Sequence, residues 1–181
     1  NGSSQGRTDG MNDSAIEMPF VPYQGNDDYI FESYAHDDEA QVYPELALLN
    51  GQGFHIWFDE GIGPGHVWPR ELAGRIENCD LMLFFVTPAS LGSSNCSREI
   101  NFALENDKPV IAIHLHEVEI PSDWRFTIGD RQAILKYRLS GEIYLDRLTT
   151  AIREYVAVQD EPGVLLAVHD LATVSSGQHK Q

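Results

Sequence analysis

The sequence predicts a doubly wound α/β fold, a flavodoxin-like parallel sheet of about five strands flanked by helices. Three observations predict it. Strand-like apolar runs alternate with helix-periodic segments from about residue 27 to 157. One run, Leu81-Met82-Leu83-Phe84-Phe85-Val86, is apolar on both faces, as a central parallel strand must be. Three polar loops, Ser33–Asp38, Asp59–Trp68 and Thr87–Glu99, each follow an apolar strand, which gathers them on one edge of the sheet. Ligands of such sheets bind outside the carboxyl ends of the strands, where the strand order reverses.

The elements follow in order. Asp28 to Tyr34 is a first strand by its aromatic and β-branched content, although Glu32 sits badly in a strand buried on both faces. Ala35-His36-Asp37-Asp38-Glu39 makes a polar turn. A helix carrying Leu46, Leu48 and Leu49 follows; Pro44 suits a first turn, so its regular part is expected to begin near Tyr43 and to stop at Asn50-Gly51. Phe54 to Phe58 is a second strand. After the Asp59–Trp68 loop, Pro69 opens a helix with Leu72, Ile76 and Cys79 on one stripe. Leu81–Val86 is the third strand and Val110–Leu115, after Lys108-Pro109, the fourth. Beyond Pro121 the pattern weakens to a short fifth strand near Gln132–Lys136. An amphipathic helix over Glu142–Val156 follows, with Leu145, Leu148, Ile152 and Tyr155 in its stripe. Residues 27–157 form the domain; 1–26, rich in Gly, Ser, Asp and Asn, and 158–181 are expected to be loose ends.

Composition excludes some partners. With 28 acids against 12 bases the formal charge is −16, which argues against nucleic acid and anionic membranes but not against a small anion in a local pocket. No run approaches the roughly 18 apolar residues of a membrane span, and no secretory signal pattern opens the sequence. Cys79 and Cys96, without CxxC spacing, imply a reducing, cytoplasmic setting and no zinc or other metal site.

The candidate chemistry centres on Ser93-Ser94-Asn95-Cys96-Ser97-Arg98-Glu99, a polar loop feeding a helix through cap candidates Ser93, Ser94 and Asn95. Cys96, Glu99, Ile100 and Ala103 share one helical side. An acid on an apolar stripe is either solvated at the helix edge or turned into a cleft, and the strand order favours the cleft. The Asp59–Trp68 loop holds three glycines and one proline, and reads equally as a surface connection and as a lid or association loop. It is not a phosphate loop, because no Gly-Lys-Ser/Thr follows and Asp59 and Glu60 repel phosphate. Trp68 either closes a core or offers a face for a base. The acids and Lys108 do not fit a phospho-acceptor receiver domain, since Asp27, Asp28 and Lys108 precede their strands. No histidine spacing nominates a partner for Cys96, which reads as packing. Two-carboxylate glycosidase chemistry requires a second acid near Glu99, for which Asp59 and Glu60 are the candidates.

Taken together, these segments resemble the Toll/interleukin-1 receptor (TIR) domain in its bacterial form. Tyr29-Ile30-Phe31-Glu32-Ser33-Tyr34 resembles the first-strand signature. Ile56-Trp57-Phe58-Asp59-Glu60, continuing through Ile62-Gly63-Pro64-Gly65 to Trp68, resembles the second strand and BB loop. Ser94-Asn95-Cys96-Ser97-Arg98-Glu99 resembles the Ser-x-Trp-Cys-x-x-Glu entry to the third helix. The pieces occur in order across residues 27 to 157.

The resemblance implies the TIR fold and either of two functions. Many such domains are effectors that cleave NAD+ at the nicotinamide–ribose bond, giving ADP-ribose or a cyclic isomer, with NAD+ as substrate and no cofactor. Others are non-catalytic modules that signal by homotypic association. In the enzymatic case Glu99 would be catalytic and ionised at pH 7, with Ser33, Tyr34, Ala35, His36, Asp59, Trp68, Asn95 and Cys96 binding substrate. Glu60, Gly61, Ile62, Gly63, Pro64, Gly65 and His66 would drive assembly into a homo-oligomer or filament. Asn95, where the family often has Trp, and Glu32, in place of an apolar residue, depart from the pattern.

Overall fold

The computed structural model describes residues 16–59, 68–129 and 131–158 of the 181-residue chain, with backbone alone at Trp68 and Pro69. Five parallel strands, β1 (Ile30–Ser33), β2 (Ile56–Phe58), β3 (Leu81–Val86), β4 (Val110–His114) and β5 (Gln132–Leu135), lie in the order β2-β1-β3-β4-β5. The chain leaves β1 on one side for β2 and returns on the other for β3, so the order reverses at β1. This is the expected doubly wound sheet, and it fixes the ligand crevice at the carboxyl ends of β1 and β3.

Alternation along the strands builds two cores. Ile30 of β1 and Leu83 and Phe85 of β3 pack beneath α1 (Glu39–Gly51) and α6 (Gly141–Ile152). Phe31, Met82 and Phe84 face the opposite layer of α2 (Trp68–Asn78), α4 (Ser94–Glu105) and α5 (Ser122–Ile128). Glu32 pairs in register with Phe58 and Leu83, and Ser33 with Phe84. The two adjacent polar residues of β1 therefore leave the sheet on opposite faces.

Several elements differ from expectation. The first helix begins at Glu39, after a 3-10 turn over His36–Asp38, with Pro44 inside it. Burial of Val42 and Tyr43 against the sheet outweighs the loss of one helical hydrogen bond at Pro44. Its carboxyl end is the expected Gly51, and Gly53 takes φ 85° in the turn toward β2. The Thr87–Glu99 stretch is not one loop, because it contains the five-residue helix α3 (Pro88–Gly92). A reciprocal cap holds α3: Ser90 N donates to Thr87 Oγ1 at 3.0 Å, and Thr87 N donates to Ser90 Oγ at 2.9 Å. The seven-residue α5 occupies the weak region after Pro121. The last helix stops at Ile152, and of its expected stripe Tyr155 is exposed while Tyr144, off that stripe, is buried.

Residues before 27 also pack against the sheet. Phe20 packs edge-on against Phe58, Tyr23 N donates to Ile56 O at 2.8 Å, and the Tyr23 ring stacks on His55. Of the two expected loose ends, residues 1–15 and 159–181 lie outside the described residues. No described helix is long and apolar enough to cross a membrane.

Candidate functional site

At the carboxyl ends of β1 and β3 opens a cleft of about 270 Å³. Tyr34, Ala35, His36 and Asp37 line it from the turn after β1, Asp59 from the end of β2, and Ala89, Gly92, Ser93, Asn95 and Glu99 from α3 and the start of α4. Six positions singled out in the sequence thus meet around one cleft: Tyr34, Ala35, His36, Asp59, Asn95 and Glu99. Asp37, Ala89, Gly92 and Ser93 were not singled out as site residues. The small residues of the α3–α4 corner carry no chemistry of their own, and only the polar-loop pattern pointed to them.

Glu99 projects from the second turn of α4. Ser93 is the cap, accepting from Cys96 N at 3.3 Å, so Glu99 is the sixth helical residue. That position places it beside β1, where Ser33 Oγ donates to Glu99 Oε2 at 2.6 Å. The side chain is only 8% exposed. Burial pushes its carboxyl up to about 7, opposed by the Ser33 hydrogen bond and by His36 and Arg98, and reinforced by Asp59. Glu99 is therefore divided between its two forms at pH 7 rather than fully ionised. The helix N-terminus lowers a carboxyl only within the first turn, and Glu99 lies beyond it.

Two further acids shape the entrance. The His36 ring nitrogens lie 3.2 Å from Asp59 Oδ2 and 3.3 Å from Glu39 Oε1. The hydrogen bond to Asp59 pushes the imidazole above its ordinary value, against the opposing effect of burial. The Tyr34 hydroxyl donates to Asp59 O at 2.9 Å, tying the turn after β1 to the end of β2. Below the cleft, the buried Asp38 accepts from the Thr87 hydroxyl and ties that same turn to the end of β3. The loops are thus cross-braced around Glu99.

Two expected residues do not line the cleft. Ser33 is fully buried behind Glu99 and reaches the site through its hydrogen bond. Cys96, 1% exposed, packs in the α2–α4 core, and burial pushes its thiol up to about 11. Such a thiol is not a nucleophile at neutral pH. Trp68 opens α2, but its side chain lies outside the described residues, as do Glu60, Gly61, Ile62, Gly63, Pro64, Gly65 and His66. No group of three or more metal-ligating side chains occurs among the described residues.

Glu32 also borders the cleft, yet it leaves β1 toward α1 and α6. It is 2% exposed, and neither carboxyl oxygen has a hydrogen-bond partner. Burial, then the nearby Glu45, holds its pKa well above the ordinary 4.5. Its surroundings therefore favour the neutral carboxyl over the carboxylate. Its neighbours are the Tyr144 ring and the ion pair between Lys136 and Glu45.

The TIR domain family profile matches residues 30–148, which is most of the described chain. This chain belongs to the TIR domain family. Solved TIR structures share its fold. The TIR domain of a Toll-related receptor from Hydra magnipapillata is 18% identical, over 68% of this chain and 97% of that one, with a TM-score of 0.54. The TIR domains of the activated Roq1 resistosome are 14% identical over 69% of this chain and 99% of theirs, with a TM-score of 0.56. A CMP N-glycosidase from Clostridium botulinum also aligns, at 20% identity over 68% of this chain and 98% of that one, with a TM-score of 0.50. No curated protein sequence matches the chain. Across this TIR domain the aligned region includes β1, the Glu99 helix and the cleft between them.

Proposed function

We propose that this TIR domain cleaves NAD+ at the nicotinamide–ribose bond, with Glu99 as the catalytic residue. The observation that carries the reading is one buried carboxyl, hydrogen-bonded by Ser33 and turned into a cleft at the strand-order switch. The chemistry needs little more. When the C1′–N bond breaks, its electron pair goes to the pyridinium nitrogen and nicotinamide leaves neutral, so no general acid is required. The ribose is left as an oxocarbenium-like cation, and an ionised Glu99 facing the cleft stabilises that charge. Water, or a nucleophile of the substrate itself, then adds to C1′ and loses a proton, giving ADP-ribose or a cyclic isomer.

The remaining residues fit supporting roles. Tyr34, Ala35, His36, Asp59 and Asn95 contact the substrate, Ser33 positions Glu99, and Cys96 backs α4. Trp68 stacks on a ring of the substrate. The BB-loop residues Glu60 to His66 mediate homotypic assembly; the Roq1 TIR domains, solved within a resistosome, support this by analogy. The motif resemblance to bacterial TIR domains supports an effector that depletes NAD+ in defence against phage. The two buried free thiols are consistent with a cytoplasmic location.

The test is nicotinamide release from NAD+ by concentrated protein, alone and with a crowding agent, beside Glu99→Ala. Release by the wild type and its loss in Glu99→Ala supports the reading. Equal release by both removes Glu99 from the chemistry. No release under conditions shown by light scattering to assemble the protein favours a non-catalytic interaction module.

A further inference from the structure

Beside the Glu99 cleft lies a second recess, a groove of about 460 Å³ between α2 and α4. Its floor is apolar, from Leu72, Ala73 and Ile76 of α2 and Phe102 of α4. Asn95 and Glu99 belong to both recesses, so the groove is continuous with the cleft rather than a separate hollow. Asn95, Arg98, Glu99 and Phe102 follow one another at helical spacing along α4 and present one stripe to it. From Asn95 to Phe102 that stripe runs about 10 Å, at roughly 1.5 Å per residue.

The cleft is the more acidic recess, and the groove sets Arg98 beside Glu99 and Glu105. Asp37, Asp59 and Glu99 line the cleft, and His36 is its one basic residue among those described. A diphosphate would meet those acids there, and the one basic group, His36, is already engaged by Asp59 and Glu39. Arg98 is the single guanidinium or ammonium lining either recess among the described residues. Its Nη2 donates to Asn95 Oδ1 at 2.5 Å and its Nε to Ser94 O at 3.3 Å, which fixes the guanidinium at the junction of the recesses. An anion bound there would meet a preorganised fork. Beyond it, the Phe102 ring and the aliphatic wall of α2 suit a flat heterocycle.

We propose that the α2–α4 groove is the subsite for the adenosine end of the dinucleotide. It rests on the NAD+-cleaving reading and adds a substrate preference to it. The nicotinamide riboside sits in the acidic cleft against Glu99. The diphosphate crosses at Arg98, and the adenine lies along Phe102, Leu72 and Ile76. Asn95 makes this path open, because a bulky side chain at the junction would close the groove from the cleft. The domain is accordingly selective for dinucleotides over mononucleotides carrying the same scissile bond.

The experiment compares kcat/KM for NAD+ and nicotinamide mononucleotide in the wild type, Ala73→Trp, which fills the groove, Asn95→Trp, which closes the junction, and Arg98→Gln. The expected result is a wild-type preference for NAD+, with the NAD+ to mononucleotide ratio reduced about tenfold or more in each variant. A wild type without preference, or ratios within twofold of wild type in all three variants, overturns the subsite. Far-ultraviolet circular dichroism and melting temperature identify a misfolded variant, and the others then decide. A second readout needs no turnover: calorimetric titration with ADP, which lacks the scissile bond. Binding by wild type and Glu99→Gln, weakened about tenfold by Ala73→Trp and Arg98→Gln, supports the groove. Absence of saturable ADP binding, or binding indifferent to those substitutions, overturns it. If ADP binds as described but neither nicotinamide substrate is cleaved, the groove stands as an adenine-nucleotide site and the cleavage reading falls.

Discussion

Glu32 and Glu99 are both buried at the carboxyl end of β1, on opposite faces of the sheet. Glu32 leaves the strand toward α1 and α6 and finds no donor for either oxygen. Glu99 comes in from α4 on the other face and receives the Ser33 hydroxyl. Desolvation raises both, but Glu45 raises Glu32 further, whereas Ser33, His36 and Arg98 hold Glu99 near about 7. The surroundings of one buried acid thereby favour its neutral form, while the other titrates at about 7. Burial alone does not make an active carboxyl; the donor and cations around it decide.

Glu99→Gln breaks the comparison most severely. Nicotinamide release is expected to fall about a hundredfold or more, measured at matched protein concentration under assembling conditions. Stability should move the opposite way. A carboxyl raised from 4.5 to about 7 leaves the folded state at its full stability below pH 4.5 and weakens it as pH rises through about 7. At pH 8, Glu99→Gln is therefore expected to gain up to about 3 kcal/mol in denaturant unfolding, and at pH 4 almost nothing. A variant less stable at pH 8 would show that the ionised Glu99 is well accommodated in the fold.

Glu32→Leu tests the other acid. Replacing an unpartnered buried carboxyl with an apolar side chain of similar size should stabilise the protein by about 1–3 kcal/mol at pH 8. The sign is the same as for Glu99, because the Glu32 pKa is also raised. The gain therefore shrinks toward pH 4, where both folded and unfolded chains hold the proton. Destabilisation at every pH would show that the Glu32 carboxyl makes a compensating bond to Glu45 or Tyr144.

Ser33→Ala sharpens the contrast by making Glu99 resemble Glu32. Loss of the 2.6 Å bond removes an influence that lowers the Glu99 pKa, so the alkaline-rising limb of activity should move up by about one pH unit. The smallest effect concerns Cys96. Its thiol, pushed up to about 11 and 1% exposed, should resist iodoacetamide at pH 7.5 in the native protein and react on unfolding, as followed by mass spectrometry.

How far the sequence revealed this arrangement depends on range. Leu81–Val86 was readable to the residue, because a central strand needs apolar side chains on both faces and two polar neighbours bound it. The strand alternation placed Glu99 at the ligand edge, and the structure brings it into the cleft. Short elements were not readable: α3 and α5 have five and seven residues, too few for a periodic signal. Pro44 misdirected the start of α1, since tertiary burial of Tyr43 overrode a local preference. The pairings Ser33–Glu99, His36–Asp59 and Asp38–Thr87 join residues distant in the chain, and residue types alone do not specify such partners. Glu32 was legible only as an anomaly; its raised pKa follows from surroundings supplied by three separate helices and turns.

The most direct measurement is the pH dependence of kcat/KM for nicotinamide release from NAD+ by the assembled wild-type protein. A single ionisation of Glu99 predicts a rate that rises through about pH 7 and levels off above it, as the carboxylate form fills. A rate flat across that range, or one that falls as pH rises through 7, would contradict a catalytic Glu99 carboxylate.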